Sequence, residues 1–122
     1  MPASPHVIIA DDHDAVRALV ARIVVRIYPS VRLVAVTNGA EALDAYNQRG
    51  ADLVITNQDM PVLRGLDLIR ALRAQQATIP ILMLSSDPKV EPLARAAGAT
   101  RFLLKPFTIP VLRQVLIDLL PP

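Results

Sequence analysis

The sequence predicts an α/β domain built on a single five-stranded parallel sheet, doubly wound with helices on both faces. Three observations carry that prediction. Short apolar runs of strand length alternate five times with segments of helical period. The runs are continuously apolar, the pattern of strands buried on both faces. Four of them stop abruptly at polar or charged residues. The clearest is Leu53 to Pro61, Leu-Val-Ile-Thr-Asn-Gln-Asp-Met-Pro, which delivers Asn57 to the carboxyl end of a buried strand. In open parallel sheets the ligand crevice lies beyond the strands' carboxyl ends, so Asn57 is expected in the functional pocket.

His6 to Ala10 is rich in β-branched residues and reads as the first strand, opening into Asp11, Asp12, His13 and Asp14. From Ala15 the period becomes helical: Val16, Leu19, Val20, Ile23 and Ile27 share one side, with Arg22 and Arg26 opposite. Asp14 is expected to cap this helix and Pro29 to end it. Val31 to Val36 is the second strand. Thr37, Asn38 and Gly39 turn the chain into a helix over 40–48, which Gly50 stops. The third strand covers 52–56, and a loop through Met60-Pro61 to Gly65 leads to a helix over 66–75, with Leu66, Ile69 and Leu72 inward and Arg70 and Arg73 outward. Ile79 to Leu84 is the fourth strand, closing on Ser85, Ser86 and Asp87. Pro88 and Pro92 restrict the next helix, since an interior proline costs roughly 3 kcal/mol. A short helix is expected from Glu91, with Pro92 in its first turn and Gly98 at its end. Thr100 to Leu104 is the fifth strand. Thr108 caps a last helix over 109–120, terminated by Pro121 and Pro122.

The whole chain, 1–122, is read as one domain, with no internal repeat, linker or low-complexity segment. Hydrophobic residues make up 52% and aromatics 3%, so the core must be aliphatic. No apolar run approaches the ~18 residues of a membrane span, and the N-terminus lacks a signal-peptide pattern, so a cytoplasmic location is expected. Without cysteine there are no disulfides or thiolate metal sites. The net charge of +2, carried almost wholly by arginine, invites a nucleic-acid reading. The arginines are scattered, however, and no basic block is interleaved with aromatics, so a solvated polar surface is the better account.

The strand ends deliver Asp11 and Asp12, Asn57, Ser85 and Lys105. If the strands are parallel and the first, third, fourth and fifth adjoin, these groups meet on one rim. Two carboxylates, an amide, a hydroxyl and an ammonium suit a hard divalent cation and a phosphoryl group. No glycine-rich phosphate loop is present. The acidic pair after the first strand, Met60-Pro61 with Gly65 downstream, Ser85 after the fourth strand and Lys105-Pro106-Phe107 after the fifth together resemble the receiver domains of bacterial response regulators. Each motif alone is weak; all of them in order at the right boundaries form a specific match over essentially the whole chain.

The resemblance implies a flavodoxin-like (βα)5 fold with strand order 2-1-3-4-5. It further implies that Asp11 and Asp12 hold Mg2+, that the Asp59 backbone carbonyl reaches the same metal, and that Ser85 and Lys105 contact a phosphoryl group. Pro106 usually follows a cis peptide bond in the family, and Phe102 matches the aromatic that changes rotamer with the shift of the Ser85 hydroxyl. One position departs from the pattern. Asn57 stands where the family places its phosphoacceptor aspartate, either naturally or as an introduced substitution. A neutral carboxamide is a very poor nucleophile, so phosphorylation at Asn57 is not expected. The metal site also loses an anionic group, which forfeits on the order of several kcal/mol of attraction for a divalent ion about 4 Å away. Mg2+ binding at Asp11, Asp12, Asn57 and Asp59 is therefore expected to be weak, while repulsion among the carboxylates is relieved.

The reading is a receiver of a two-component phosphorelay that acts by partner binding rather than as an enzyme. Its expected partner is a sensor histidine kinase or another signalling protein. Competing readings are a small Mg2+-dependent phosphohydrolase using Asp11 or Asp12, and a nucleic-acid-binding module. Taken singly, Asp11 and Asp12 could be a turn and capping pair, Ser85 a loop hydroxyl, Lys105 and Asp59 surface groups and Phe102 core packing. His13 is read as an exposed residue of the first helical turn, with no chemistry assigned. In the last helix Leu112, Val115, Leu116 and Leu119 form an inward stripe, while Val111, Ile117 and Leu120 widen the apolar arc. That surplus points to a homodimer or partner surface formed by the last helix and fifth strand.

Overall fold

The computed structural model describes residues 4–122. The signal-peptide reading rests partly on residues 1–3, which lie outside that range. Five strands, β1 (His6–Ala10), β2 (Arg32–Val36), β3 (Leu53–Asn57), β4 (Ile81–Ser85) and β5 (Arg101–Leu104), form one sheet in the order β2-β1-β3-β4-β5, with every pairing parallel. They alternate with α1 (Asp14–Ile27), α2 (Gly39–Arg49), α3 (Gly65–Ala74), α4 (Val90–Ala97) and α5 (Ile109–Leu119). The predicted class and strand order are the observed ones.

Because successive side chains of a strand face opposite ways, each central strand feeds two cores. Val7, Ile9, Leu53, Ile55, Leu82 and Leu84 pack on α1 and α5, whereas Ile8, Ala10, Val54, Ile81 and Met83 pack on the other three helices. β1, β3 and β4 are buried almost throughout, which accounts for their unbroken apolar sequences. The edge strands differ: β2 is largely exposed and β5 only partly buried, so covering on both faces describes the central strands alone.

Several local expectations shift. The N-cap of α1 is His13, not Asp14; Asp14 lies in the first turn, where it pairs with Arg17 at 2.7 Å. The α1 stripe is carried by Val20, Ile23, Val24 and Ile27, with Val16 and Leu19 only partly buried. At α2, Asn38 accepts from the Glu41 backbone N–H at 2.9 Å, satisfying an orphan donor of the first turn. α4 begins at Val90, one residue before the expected start, and closes on Gly98 with φ of 116°. Arg73 is not an outward, solvated residue. Its guanidinium donates to the carbonyls of Ala77, Ile79 and Gly98 at 2.7–2.9 Å, tying the α3–β4 loop to the α4–β5 turn.

Tyr28 closes the opposite core. Its hydroxyl donates to the Leu120 carbonyl at 2.6 Å, an acceptor beyond the end of α5, and lies 3.1 Å from that of Leu116, which also accepts the Leu120 N–H. Burial pushes its pKa from 10.0 up to about 12. The fold holds the neutral phenol, so this contribution is whole below pH 10 and is lost as pH rises toward 12. In urea unfolding from pH 8 to 12, the wild type is expected to lose on the order of 2–3 kcal/mol more than Tyr28→Phe. At pH 8 the variant should itself be weaker by about 1 kcal/mol.

Candidate functional site

The carboxyl ends of β1, β3 and β5 bring Asp11, Asp12, Asn57, Asp59 and Lys105 together on one rim. The approach depends on Gly65: a Cβ there would lie 2.2 Å from the Asn57 carbonyl oxygen, so no larger residue lets α3 start this close to β3. Buried Gln58 fixes the same corner, its carbonyl accepting from the Gly65 N–H at 3.0 Å and its Oε1 from the Leu66 N–H at 2.8 Å. Sequence reasoning missed Gln58 because its partners lie seven and eight residues away, beyond any capping motif.

Asn57 is the hub. The Lys105 ammonium donates to its Oδ1 at 3.0 Å, while its Nδ2 donates to the Asp59 carbonyl at 3.0 Å and to Asp12 Oδ1 at 3.4 Å. The amide orientation follows from the partners: lysine can only donate, and an ionised carboxylate and a carbonyl can only accept. Lys105 also lies 3.5 Å from Asp11 Oδ2, close enough for attraction but without hydrogen-bond geometry. Asp11 Oδ2 is therefore buried with no hydrogen-bond donor. Asp11 Oδ1 accepts from the His13 backbone N–H at 2.9 Å.

The other expected members stand further off. Ser85 is buried at the end of β4, but its Oγ accepts from the Asp87 N–H at 3.1 Å within its own loop, and its carbonyl accepts from the Lys105 N–H at 2.8 Å. Phe102 lies partly buried against the core of α3 and α4, away from the rim. The peptide bond before Pro106 is cis. The Asp59 side chain is exposed, and only its carbonyl joins the cluster.

Asp11, Asp12 and the Asp59 carbonyl are the oxygens that would hold a hard cation such as Mg2+, and the undonated Asp11 Oδ2 invites one. The remaining donor set fits poorly. Amide hydrogens of Asn57 already point at Asp12 and at the Asp59 carbonyl, and Lys105 supplies a positive charge beside Asp11. Mg2+ needs near-ideal octahedral oxygen ligation, which this arrangement does not present.

The chain belongs to the response regulator receiver domain family, whose model matches residues 7–117. It is 37% identical over 123 residues to the Sensory/regulatory protein RpfC of Xanthomonas campestris pv. campestris, which covers 95% of this chain but only 16% of that protein's length. It is 29% identical over 112 residues to the Chemotaxis protein CheY of Pseudomonas aeruginosa, covering 88% of this chain and 90% of that one. The solved structure of chemotaxis protein CheY4 of Vibrio cholerae superposes with a TM-score of 0.85 at 29% identity, over 96% of this chain and 99% of that one. The fold is thus the flavodoxin-like one, and the domain is of the kind used in two-component signalling.

Removing the Lys105 ammonium leaves Asp11 buried without a neutralising neighbour and Asn57 Oδ1 without its donor. Lys105→Met is expected to destabilise the domain by about 1–3 kcal/mol at neutral pH, measured by urea unfolding.

Proposed function

We propose that this chain is a phosphorylation-independent receiver: residues 1–122 form a signalling module that works by contact with a partner, with Asn57 at the phosphoacceptor position. The observation that carries the reading is the Asn57 carboxamide, which answers Lys105 with its oxygen and Asp12 and the Asp59 carbonyl with its nitrogen. One neutral group thereby fills roles that an aspartate would divide between its own carboxylate and a bound cation. A carboxamide oxygen does not attack phosphorus usefully and yields no stable acyl phosphate. We assign Ser85 and Lys105 to a phosphoryl oxygen, and Ser85 with Phe102 to a switch, as the resemblance to the family implies. Mg2+ binding at Asp11, Asp12 and Asp59 is weak for the reasons of donor geometry and charge given above.

The partner is a sensor histidine kinase or another signalling protein, in the cytoplasm. Among the described residues no helix is long and apolar enough to cross a membrane. Self-association through β5 and α5 is a second reading favoured by Leu104 and Val111, which are 44% and 47% exposed. The apolar surplus sits there and at Ile109, not at Ile117 and Leu120, which the α1 core takes up. Direct nucleic-acid binding is disfavoured because Arg17, Arg70, Arg95 and Arg101 pair with acids and Arg73 is bound to carbonyls. Nothing favours a phosphohydrolase using Asp11 or Asp12.

Beryllofluoride with Mg2+ serves as the phosphoryl mimic. In amide NMR spectra the wild type should show no saturable shifts around Ser85, Phe102 and Lys105, whereas Asn57→Asp should show them. A saturating response of the wild type would overturn the reading.

A further inference from the structure

β2 closes the sheet on the side away from β5, and no described strand pairs with its outer side. Its register sets Arg32 against His6, Val34 against Ile8 and Val36 against Ala10. The Arg32 N–H donates to the Pro5 carbonyl at 2.8 Å and the Val36 carbonyl accepts from the Asp11 N–H at 3.1 Å, so the even-numbered residues of β2 turn their backbone groups toward β1. Leu33 and Ala35 therefore each direct a donor and an acceptor outward. Such edges are commonly blunted by lysine, proline or a bulge. β2 reads Arg-Leu-Val-Ala-Val, holds no proline and matches β1 residue for residue, so only Arg32 guards it, and Val34 is 39% exposed alongside.

A second, independent feature defines what chemistry this edge would meet. Between the sheet and the last turn of α2 lies a cleft of about 310 Å³, lined by Ile8, Arg32, Val34, Ala45 and Arg49 among others. Arg32 and Val34 fall on the same face as Ile8, the face that α2 covers. Arg17, Arg70, Arg95 and Arg101 each have an acidic neighbour, whereas no described carboxylate comes within 4.0 Å of Arg32 or Arg49. Asp52 is already engaged, its Oδ2 accepting from the His6 backbone N–H at 2.8 Å. The cleft thus joins an apolar floor to two unanswered guanidiniums.

We propose that the outer edge of β2 is a docking site for an extended acidic segment of a partner protein, which adds as a further strand and sets carboxylates against Arg32 and Arg49. A strand laid there bonds to Leu33 and Ala35 through its main chain and sends alternate side chains over the cleft. Acidic residues at those positions answer the arginines, and basic ones are repelled. A second copy of this chain fits less well, because β2 contains no acid and two paired β2 strands would leave the arginines unanswered. The site uses none of Asp11, Asp12, Asn57 and Lys105, so it stands or falls separately from the phosphorylation-independent reading.

The test is an NMR titration of the full chain with a capped hexapeptide that alternates glutamate and valine. Saturable amide shifts should centre on residues 32–36 and 45–50, and the Leu33 and Ala35 amides should exchange at least tenfold more slowly with the peptide bound. A fully N-methylated version, which keeps the carboxylates and loses every main-chain donor, and a lysine–valine peptide should each bind at least tenfold more weakly. Arg32→Gln combined with Arg49→Gln should weaken the acidic peptide at least tenfold, whereas Arg113→Gln, in α5 on the other face of the sheet, should stay within twofold. Ala35→Pro, which removes an outward donor, should abolish binding. Urea unfolding checks that each variant is folded, and the N-methylated peptide asks the same question of the unaltered chain. The proposal fails if the shifts do not saturate, if the N-methylated peptide binds within twofold of its parent, or if the shifts map to the rim or to β5 and α5. It also fails if the Leu33 and Ala35 amides are already protected by self-association without peptide. Each of those outcomes leaves the beryllofluoride comparison at Asn57 untouched, so the two readings are separable.

Discussion

The structure of the rim depends on charge balance at the carboxyl end of β3. Two carboxylates, Asp11 and Asp12, share a corner with a single ammonium, Lys105, and the Asn57 amide stands between them. At an effective dielectric near 20, an ion pair 3.5 Å apart, the Lys105–Asp11 separation, attracts by roughly 5 kcal/mol before desolvation is subtracted. A third carboxylate at position 57 would compete for the same lysine and repel both acids, a conflict that a divalent cation would resolve. The amide needs no such help. It presents an acceptor to the cation and donors to the acceptors, so a neutral group holds the corner through charge-assisted hydrogen bonds to Lys105 and Asp12.

That corner is possible only because the backbone around it is crowded in a controlled way. Gly65 allows α3 to begin against the Asn57 carbonyl, and Gly39 plays the same part where α2 meets Leu63: a Cβ there would sit 2.4 Å from the Leu63 carbonyl oxygen. Gln58 and the Thr56 hydroxyl, which donates to the Asn57 carbonyl at 2.8 Å, add side-chain bonds to the same strand end. The rim is thus the terminus of a fully buried strand, pinned to the first turn of α3 across the loop 58–64 by the Gly65 and Leu66 bonds to Gln58.

The fold was legible because its signals are local. Continuous apolar runs marked β1, β3 and β4, and the helical period marked the helices within one or two residues at their ends. The site was legible for a different reason: strand ends in a parallel sheet are forced together by topology, so Asp11, Asp12, Asn57 and Lys105 could be grouped once the strands were assigned. What escaped was long-range or positional. Arg73 looked like half of an outward arginine pair, and its carbonyl partners at Ala77, Ile79 and Gly98 lie beyond the helix that suggested its direction. Tyr28 meets a helix end some ninety positions away, which no pattern around residue 28 encodes. Asp14 does not cap α1 because the helix starts one residue earlier than expected: His13 is the N-cap, its carbonyl accepting the Arg17 N–H, with no side-chain cap bond.

His13 shows how one such shift changes the chemistry. As a solvated residue of the first turn, its imidazole would be free to point anywhere. As the N-cap, it is held next to Asp12 by its own backbone bond to Asp11, so the side chain is delivered back over the acidic pair. The same turn that starts α1 therefore sets an aromatic nitrogen beside two carboxylates. The Asn57 amide donates to the same Asp12 Oδ1 at 3.4 Å, so amide and imidazole converge on one oxygen. Asp11 Oδ2, which has no hydrogen-bond donor, faces the Lys105 ammonium at 3.5 Å on the buried side. The rim is therefore one connected network from Lys105 through Asn57 to His13, and a change of charge at any member is felt by the acidic pair at its centre.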